Sequence, residues 1–292
     1  MIRNFTLSAI CALGLVLPAA ANAAVENIIE NFDFSFEGPF GSYDEMQLQR
    51  GLQVYSEVCA ACHGLKFLSF RNLADEGGPG WTNDDVLAYI DYFGFEVWDP
   101  NLFDGEGDFR PATPADKFPA VTGAGAPDLS LMAKARVGFS GPYGSGLAQL
   151  FKGMGGAEYI ASILAGYEDP PDCAPEDMDG YYNVAFAAGG YPDECKYEDG
   201  TPKYPGSWIG MAPPIYDGVV EYADGHSNTE EDVAMDVAAF LMWTAEPKLN
   251  ARKEAGLTAV IFLTVLSVLL YFTNKRIWAP HKEEAKRRAK VD

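Results

Sequence analysis

The sequence has 292 residues, of which 48% are apolar, and it carries 21 basic against 42 acidic residues, a formal net charge of −21. This apolar content is sufficient for a core, which excludes a disordered chain, and the length fits one large domain or two small ones. The strong negative charge excludes nucleic acid as a partner, because the phosphate backbone would be repelled.

The first residues are typical of a secretory signal peptide. A basic start at Arg3 precedes an apolar run over about 5–17, and Ala21 and Ala23 supply the small residues of a cleavage site. We expect residues 1–23 to be removed and the chain that follows to be exported. A retained anchor is the alternative, but the apolar run is short for a membrane span.

The exported part, residues 24–254, begins with a predicted helix that leads into the most informative motif. Asp44 can cap this helix with its side chain, and apolar residues recur on one face up to Tyr55. The helix runs into C-x-x-C-H, formed by Cys59, Cys62 and His63. On a helical turn these three side chains share a face, so two sulfurs can bond haem vinyl carbons while the imidazole reaches the iron.

A zinc site and a thioredoxin-like redox site are the two alternative interpretations of this turn, and the sequence lacks the further features that each requires. A zinc site needs a second ligand pair at similar spacing, but Cys173 and Cys195 lie 22 positions apart and the other histidines form no such pair. Thioredoxin-like chemistry needs a βαβ setting, which a glycine-rich and strand-poor sequence does not offer. The motif therefore predicts one covalently attached haem c.

Further along the exported part, short helices alternate with long loops. Segments 83–93 and 156–166 have helical patterns, and another helix starts with the capping box of Thr229. Regions 94–128 and 167–225 are rich in Gly, Pro, Asp and Tyr, which favours long ordered loops over sheet. Such loops bury little apolar area by themselves, so a large flat ligand would complete the core.

Cys173 and Cys195 are predicted to pair as a disulfide, because the exported compartment permits it and both lie in an acidic, proline-rich loop. Free buried thiols are the alternative.

The sixth ligand of the iron has several candidates in the sequence. Met211 follows a glycine and precedes two prolines that would hold its loop rigidly, and a thioether would raise the reduction potential. His226 is the histidine candidate on the same side of the membrane. The remaining methionine candidates are Met132, Met154 and Met178.

A transmembrane helix is predicted over residues 255–273, where the chain is continuously apolar. The tail, 274–292, carries seven basic against three acidic residues, so the positive-inside rule places it in the cytoplasm or in a mitochondrial matrix, and the domain before the helix on the exported side. The exported part then holds 13 basic and 39 acidic residues, a net charge of −26. Such a domain attracts a basic partner.

The motifs together resemble the cytochrome c1 family over nearly the whole mature chain. The resemblance is carried, in family order, by "VYSEVCAACHGLKF", "PDLSLMAKAR", "GGAEYIASILAGY", "GMAPPIYDGVVEY" and "DVAAFLMWTAEPKLNARKEAGL". It implies a mainly α, c-type cytochrome fold with long loops around one haem. It also implies that Cys59 and Cys62 hold the haem, that His63 and Met211 are its axial ligands, and that Arg136 and Tyr159 lie against the propionates.

The resemblance also implies a function and partners. The chain would be the electron-transfer subunit of a quinol–cytochrome c reductase in a bacterial inner membrane, not an enzyme by itself. It would pass one electron from the Rieske iron–sulfur protein through the haem to a c-type cytochrome, beside cytochrome b and in contact with the lipid bilayer. An open-iron enzyme or gas sensor, and a free-standing membrane-tethered shuttle, are the competing interpretations.

Overall fold

The computed structural model describes residues 27–123, 125–138 and 153–289. The predicted signal peptide lies outside the described residues. The helices are α1 (Glu45–Val54), α2 (Asn83–Phe93), α3 (Met132–Ala135), α4 (Gly156–Ala165), α5 (Glu230–Ala245) and α6 (Leu249–Arg288). The strands are β1 (Glu96–Asp99), β2 (Asp108–Pro111), β3 (Tyr181–Asn183) and β4 (Ser207–Ile209). A π-helical turn covers Tyr55–Cys59, and short 3-10 turns cover Phe70–Ala74, Phe103–Gly105 and Asp193–Cys195.

Helices α1, α2 and α5 begin where the sequence predicts them, because each of these three starts has a capping side chain. The Asp44 carboxylate accepts from the backbone N–H of Gln47, which satisfies one of the free N–H groups at the start of α1. Thr82 and Asp85 form a reciprocal capping box at the start of α2, which ends on Gly94 in the left-handed conformation. Thr229 caps α5 through the N–H of Asp232. The mainly α prediction is confirmed.

Tertiary contacts divide the chain into two compact units. The first contains Gly166–Ala212 together with described residues before position 29, and the second contains Ile29–Ala165 and Pro213 onwards. In the second unit α1 crosses α5 at Gly51, where a Cβ atom would lie 2.1 Å from the carbonyl oxygen of Asp236. Only glycine permits this close crossing, and it lets Leu52, Tyr55 and Phe240 pack into one buried core.

The two loop-rich regions each contain a short antiparallel hairpin that the sequence interpretation missed. β1 pairs with β2, and Trp98 covers Gly107 so closely that a Cβ atom there would lie 2.3 Å from the indole. β3 pairs with β4, and in the first unit Tyr182, Val184 and Trp208 form a buried cluster. The strands are only three or four residues long, too short for alternation to stand out among glycines and prolines.

Helix α6 is long and apolar enough to cross a membrane, as predicted, but it extends further at both ends than 255–273. It has 40 residues, its best window has a mean hydropathy of 2.3, and none of that window is buried inside the protein. A helix of this length spans about 60 Å, twice a hydrocarbon core of about 30 Å. The flanks are rich in Ala, Glu, Lys and Arg, which are good helix formers and continue the helix into water.

The start of α6 is fastened to the second unit by a lysine. Nζ of Lys253 donates to the carbonyl oxygens of Phe36 at 2.6 Å and Gly41 at 2.9 Å. The Phe36 ring stacks on Phe34 with ring centroids 5.0 Å apart. The segment that contains Phe34, Phe36 and Gly41 therefore binds the start of α6.

Candidate functional site

The C-x-x-C-H motif forms one tight turn at the end of the first helix. The π-helical turn that follows α1 ends at Cys59, and the Cys59 carbonyl oxygen accepts from the N–H of Cys62 at 3.1 Å and of His63 at 2.9 Å. The three side chains therefore come from one helical turn, as the spacing predicts. Both cysteines are free thiols.

The environment of the Cys59 thiol does not favour metal or disulfide chemistry. Burial raises the pKa of the Cys59 thiol to about 12, and the neighbouring Cys62 adds to the shift. A thiol that stays protonated at neutral pH is a poor metal ligand and a poor attacking nucleophile. Within the described part of the chain, no three His, Cys, Asp or Glu side chains gather as a site for a metal ion.

The ring of His63 is held in one orientation. Its Nδ1 lies 2.7 Å from the carbonyl oxygen of Pro127. A carbonyl oxygen can only accept, so Nδ1 carries the proton and Nε2 keeps its lone pair for a metal. The sequence interpretation did not identify Pro127, because a backbone carbonyl has no signature in residue type.

Two further contacts fix the backbone of the turn. The Tyr55 hydroxyl donates to the His63 carbonyl oxygen at 3.0 Å. The loop before α3 lies directly against Gly64, whose carbonyl accepts from the N–H of Leu129 at 2.9 Å and whose Cβ position would lie 2.6 Å from the carbonyl oxygen of Pro119. Only a glycine after the histidine allows this approach.

Arg136 and Tyr159, predicted to share a ligand, are brought together in the second unit. Tyr159 is half-buried at the start of α4, and Arg136 is exposed just after α3. Burial raises the pKa of Tyr159, while the charge of Arg136 and its hydrogen bond to the phenol oppose that rise. Gly156 allows α3 and α4 to meet, since a Cβ atom there would lie 1.7 Å from the Ala133 carbonyl oxygen. The guanidinium and phenol thus form a paired donor set suited to a carboxylate.

Met211 lies in the first unit, just after β4, and is half-buried. Its carbonyl oxygen accepts a hydrogen bond from the Tyr167 hydroxyl at 3.0 Å, and Pro213 and Pro214 follow it. These features restrict the backbone around the thioether. The sequence interpretation named the prolines but not Tyr167.

The other candidates for an iron ligand have different surroundings. Met178 packs against the buried cluster of Tyr182, Val184 and Trp208, so its thioether fills space in the first unit. Met154 is 46% exposed, and Met132 opens the short helix α3. His226 is exposed in the loop before α5, with its ring centroid 6.1 Å from that of Tyr222.

Cys173 and Cys195 are bonded in the first unit, with sulfur atoms 2.00 Å and Cα atoms 5.3 Å apart. Cys195 is buried, and its carbonyl oxygen accepts from the N–H of Lys203 at 2.9 Å. The bond closes a loop of 22 residues, in which β3 lies.

Two pairs of neighbouring acidic residues, Asp84–Asp85 and Glu230–Glu231, stabilise the starts of helices. Asp85 accepts from the N–H and the hydroxyl of Thr82, which lowers the pKa of its carboxyl group. Glu230 and Glu231 lie in the first turn of α5, where negative charge stabilises a helix. Asp84 occupies the same position in α2.

Known proteins resemble this chain over most of its length. The profile of the Cytochrome C1 family matches residues 34–281. The chain is 55% identical to cytochrome c1 of Cereibacter sphaeroides over 289 residues, which is 98% of this chain and 99% of that protein. It is 51% identical to cytochrome c1 of Rhodobacter capsulatus over 96% of this chain and 98% of that one. It is 34% identical to the mitochondrial cytochrome c1 haem protein of Saccharomyces cerevisiae, over 90% of this chain and 77% of that one.

Proposed function

The chain belongs to the cytochrome c1 family, and from this premise we propose how its own residues hold the haem and pass an electron. Family members are the haem subunit of the cytochrome bc1 complex, so the chain is an electron-carrying subunit and not an enzyme by itself. It carries a covalent c-type haem. Cys59 and Cys62 form the two thioether bonds, and Nε2 of His63 is one axial ligand.

The hydrogen bond from His63 to Pro127 is the observation that carries this assignment. In the neutral ring it places the proton on Nδ1, so that Nε2 is the nitrogen that can bind iron. The two free thiols stand on the same turn as the imidazole. The bound haem supplies one-electron redox chemistry, while the residues of the turn hold it in a fixed position.

Met211 is the second axial ligand in this proposal. Its thioether is half-buried in a segment that Tyr167 and two prolines restrain, whereas Met178 packs in a core cluster and Met154 is largely exposed. A thioether opposite an imidazole favours the reduced iron and raises the potential. It also fills the sixth position, which suits a carrier of electrons and not a sensor of gases.

Arg136 and Tyr159 bind haem propionates. An exposed guanidinium beside a phenol offers charge-assisted donors to a carboxylate, and few free cations compete in so acidic a domain. Their role is to neutralise and position the negatively charged edge of the cofactor.

The domain faces the periplasm of a bacterial cell, and α6 anchors it in the inner membrane. The basic tail after residue 273 supports this orientation. The Cys173–Cys195 disulfide forms in the same oxidising compartment. Cytochrome b lies beside the anchor, the Rieske iron–sulfur protein donates the electron, and a c-type cytochrome receives it.

A single preparation tests this function. The membrane-solubilised protein is denatured and extracted with acidified acetone, and its reduced spectrum and potential are recorded before denaturation. We expect the pigment to stay with the polypeptide, because thioether bonds survive unfolding. We expect a high reduction potential, because the Met211 thioether is an iron ligand. Pigment that moves into the solvent would overturn the proposal.

A further inference from the structure

Acids outnumber bases threefold in the exported part, yet a group of its described basic residues forms no salt bridge. Among the described residues, six of its cations form salt bridges, namely Arg50, Arg110, Lys134, Lys196, Lys248 and Arg252. Lys203 and Lys253 donate to backbone carbonyls, and Arg136 bonds Tyr159. Among the described cations of the exported part, Lys66, Arg71 and Lys117 have neither a salt bridge nor one of these hydrogen bonds.

These three residues belong to two segments that run side by side, just after the C-x-x-C-H turn. The N–H of Phe70 donates to the Asp116 carbonyl oxygen at 3.0 Å, and the N–H of Phe118 donates to that of Leu68 at 3.0 Å. The side chains of Leu68, Phe70 and Phe118 are buried, so both segments are packed against the core. The lysines between these buried positions point away from the core.

Lys66 and Lys117 share one aromatic ring. Their Nζ atoms lie 5.1 Å and 6.0 Å from the ring centroid of Phe67, which is 57% exposed. Cation–π attraction holds two flexible side chains over a common ring. Two charges and an exposed ring thus form a preordered surface, which lowers the entropy that binding would cost.

Two carboxylates beside these segments have other hydrogen-bond partners, and neither forms a salt bridge with Lys66 or Lys117. Asp128 accepts from the backbone N–H groups of Lys66 and Ser130 at 3.0 Å and 3.1 Å. Asp116 accepts from both terminal nitrogens of Arg110, at 2.7 Å and 3.0 Å. The ammonium groups are therefore left for an external partner.

We propose that Lys66, Phe67 and Lys117, the Phe67 patch, form the docking surface for a protein partner whose contact face carries carboxylates. Within the proposed function, on which this inference rests, that partner is the electron donor. The proposed acceptor is basic, since a domain of net charge −26 attracts it, and a cationic patch repels it locally. The donor docks on the surface that begins at Lys66, three positions after His63 in the sequence, and the acceptor docks on a different surface.

The test uses the intact membrane complex and two charge-reversed variants. One carries Lys66→Glu and Lys117→Glu, and the matched control carries Lys196→Glu and Lys203→Glu in the first unit, so that both variants gain the same negative charge. Rapid kinetics record haem reduction within the complex after quinol addition, and haem oxidation by a soluble basic c-type cytochrome, at low and high salt.

The patch variant should reduce its haem about tenfold more slowly at low salt, and the deficit should shrink at high salt, because screening weakens charge contacts. Oxidation should be unchanged or faster, and the control should reduce its haem at the normal rate. Equal slowing in the control, unchanged reduction, or slowed oxidation alone would each overturn the proposal. Phe67→Ala, which keeps both charges, should slow reduction about threefold by loss of the ordering ring.

Haem content and spectrum separate this inference from the proposed function. A variant with normal covalent haem and a normal potential, but with slow reduction, affects docking alone. If the unmodified complex showed no haem reduction by quinol, the proposed function would fail, whatever the patch does.

Discussion

The turn from Tyr55 to His63 and the segment from Ser207 to Ala212 supply the two proposed iron ligands, and they are ordered by different means. The backbone of the turn is fixed by hydrogen bonds within nine residues, from the Tyr55 hydroxyl to the His63 carbonyl oxygen and from two N–H groups to the Cys59 carbonyl oxygen, and the His63 ring is held by a distant residue, Pro127. The Met211 segment is fixed from outside, by the Tyr167 hydroxyl, the pairing of β3 with β4, and the disulfide in the same unit.

This difference separates two tasks of a covalent haem protein. Attachment depends on local geometry, which one helical turn supplies as soon as α1 forms. Tuning of the iron depends on a ligand 148 positions further along the chain than His63, so it requires a folded first unit. We therefore expect damage to the second region to change the potential while the haem remains attached.

Replacing Met211 by Ala should have the largest effect. The protein should keep its covalent haem, but its potential should fall by roughly a few tenths of a volt, because a thioether no longer favours the reduced iron. The reduced protein should also bind carbon monoxide at the open position. Redox titration and optical spectra under carbon monoxide measure both changes.

Met154→Ala is the matched control, because it removes a thioether that is 46% exposed. Its potential should match that of the unmodified protein. If Met211→Ala also left the potential unchanged, another residue would be the second ligand.

Removing the disulfide should have the second largest effect. It should lower the local stability of the Met211 region more than that of the turn. By chain entropy, closure of a 22-residue loop contributes about 3 kcal/mol. The double substitution Cys173→Ser and Cys195→Ser should increase hydrogen exchange at Tyr181–Asn183 and Ser207–Ile209 by up to about a hundredfold. Exchange at Glu45–Val54 should stay as before, and equal acceleration there would show that the two units unfold together.

Replacing Tyr55 by Phe should have a smaller effect, confined to the turn. It removes the hydrogen bond to the His63 carbonyl oxygen and should cost about 1 kcal/mol of unfolding free energy. Tyr89→Phe removes a bond of similar type, between the phenol and the Ser56 hydroxyl. Denaturant unfolding should show similar losses for both, while only Tyr55→Phe speeds amide exchange at Gly64. Identical exchange in the two variants would mean that Tyr55 does not order the turn.

The sequence predicts the first region better than the second, for a physical reason. Cys59, Cys62 and His63 lie within five positions, so a helical turn alone places them, and Asp44 marks the helix that delivers them. The two hairpins were missed because their pairing joins residues 9 to 28 positions apart. No local pattern in strands of three or four residues encodes such a pairing.

Contacts through backbone atoms are likewise hidden in a sequence. Pro127 orients His63 with a carbonyl oxygen that every residue type possesses, so only the fold could identify it. The extension of α6 beyond 255–273 has another cause, since hydropathy marks where the apolar stretch ends and not where the helix ends.

The smallest expected effect is on the pH dependence of stability, through the carboxylate of Asp116 in the loop beside the turn. This carboxylate accepts from Arg110 and Thr113, which hold its pKa well below the usual value, and its loop pairs with the chain that follows the turn. A group with a lowered folded pKa stabilises the fold above its unfolded pKa of about 3.9 and loses that contribution as pH falls. The unmodified protein should therefore exceed Asp116→Asn in stability at pH 7, and the difference should shrink below about pH 4.

Denaturant midpoints of both proteins between pH 7 and pH 3 measure this convergence. Asp179→Asn, at an exposed position in the first unit, is the control for the loss of one negative charge. A stability difference for Asp116→Asn that is independent of pH would show that its ion pair contributes nothing to the turn region.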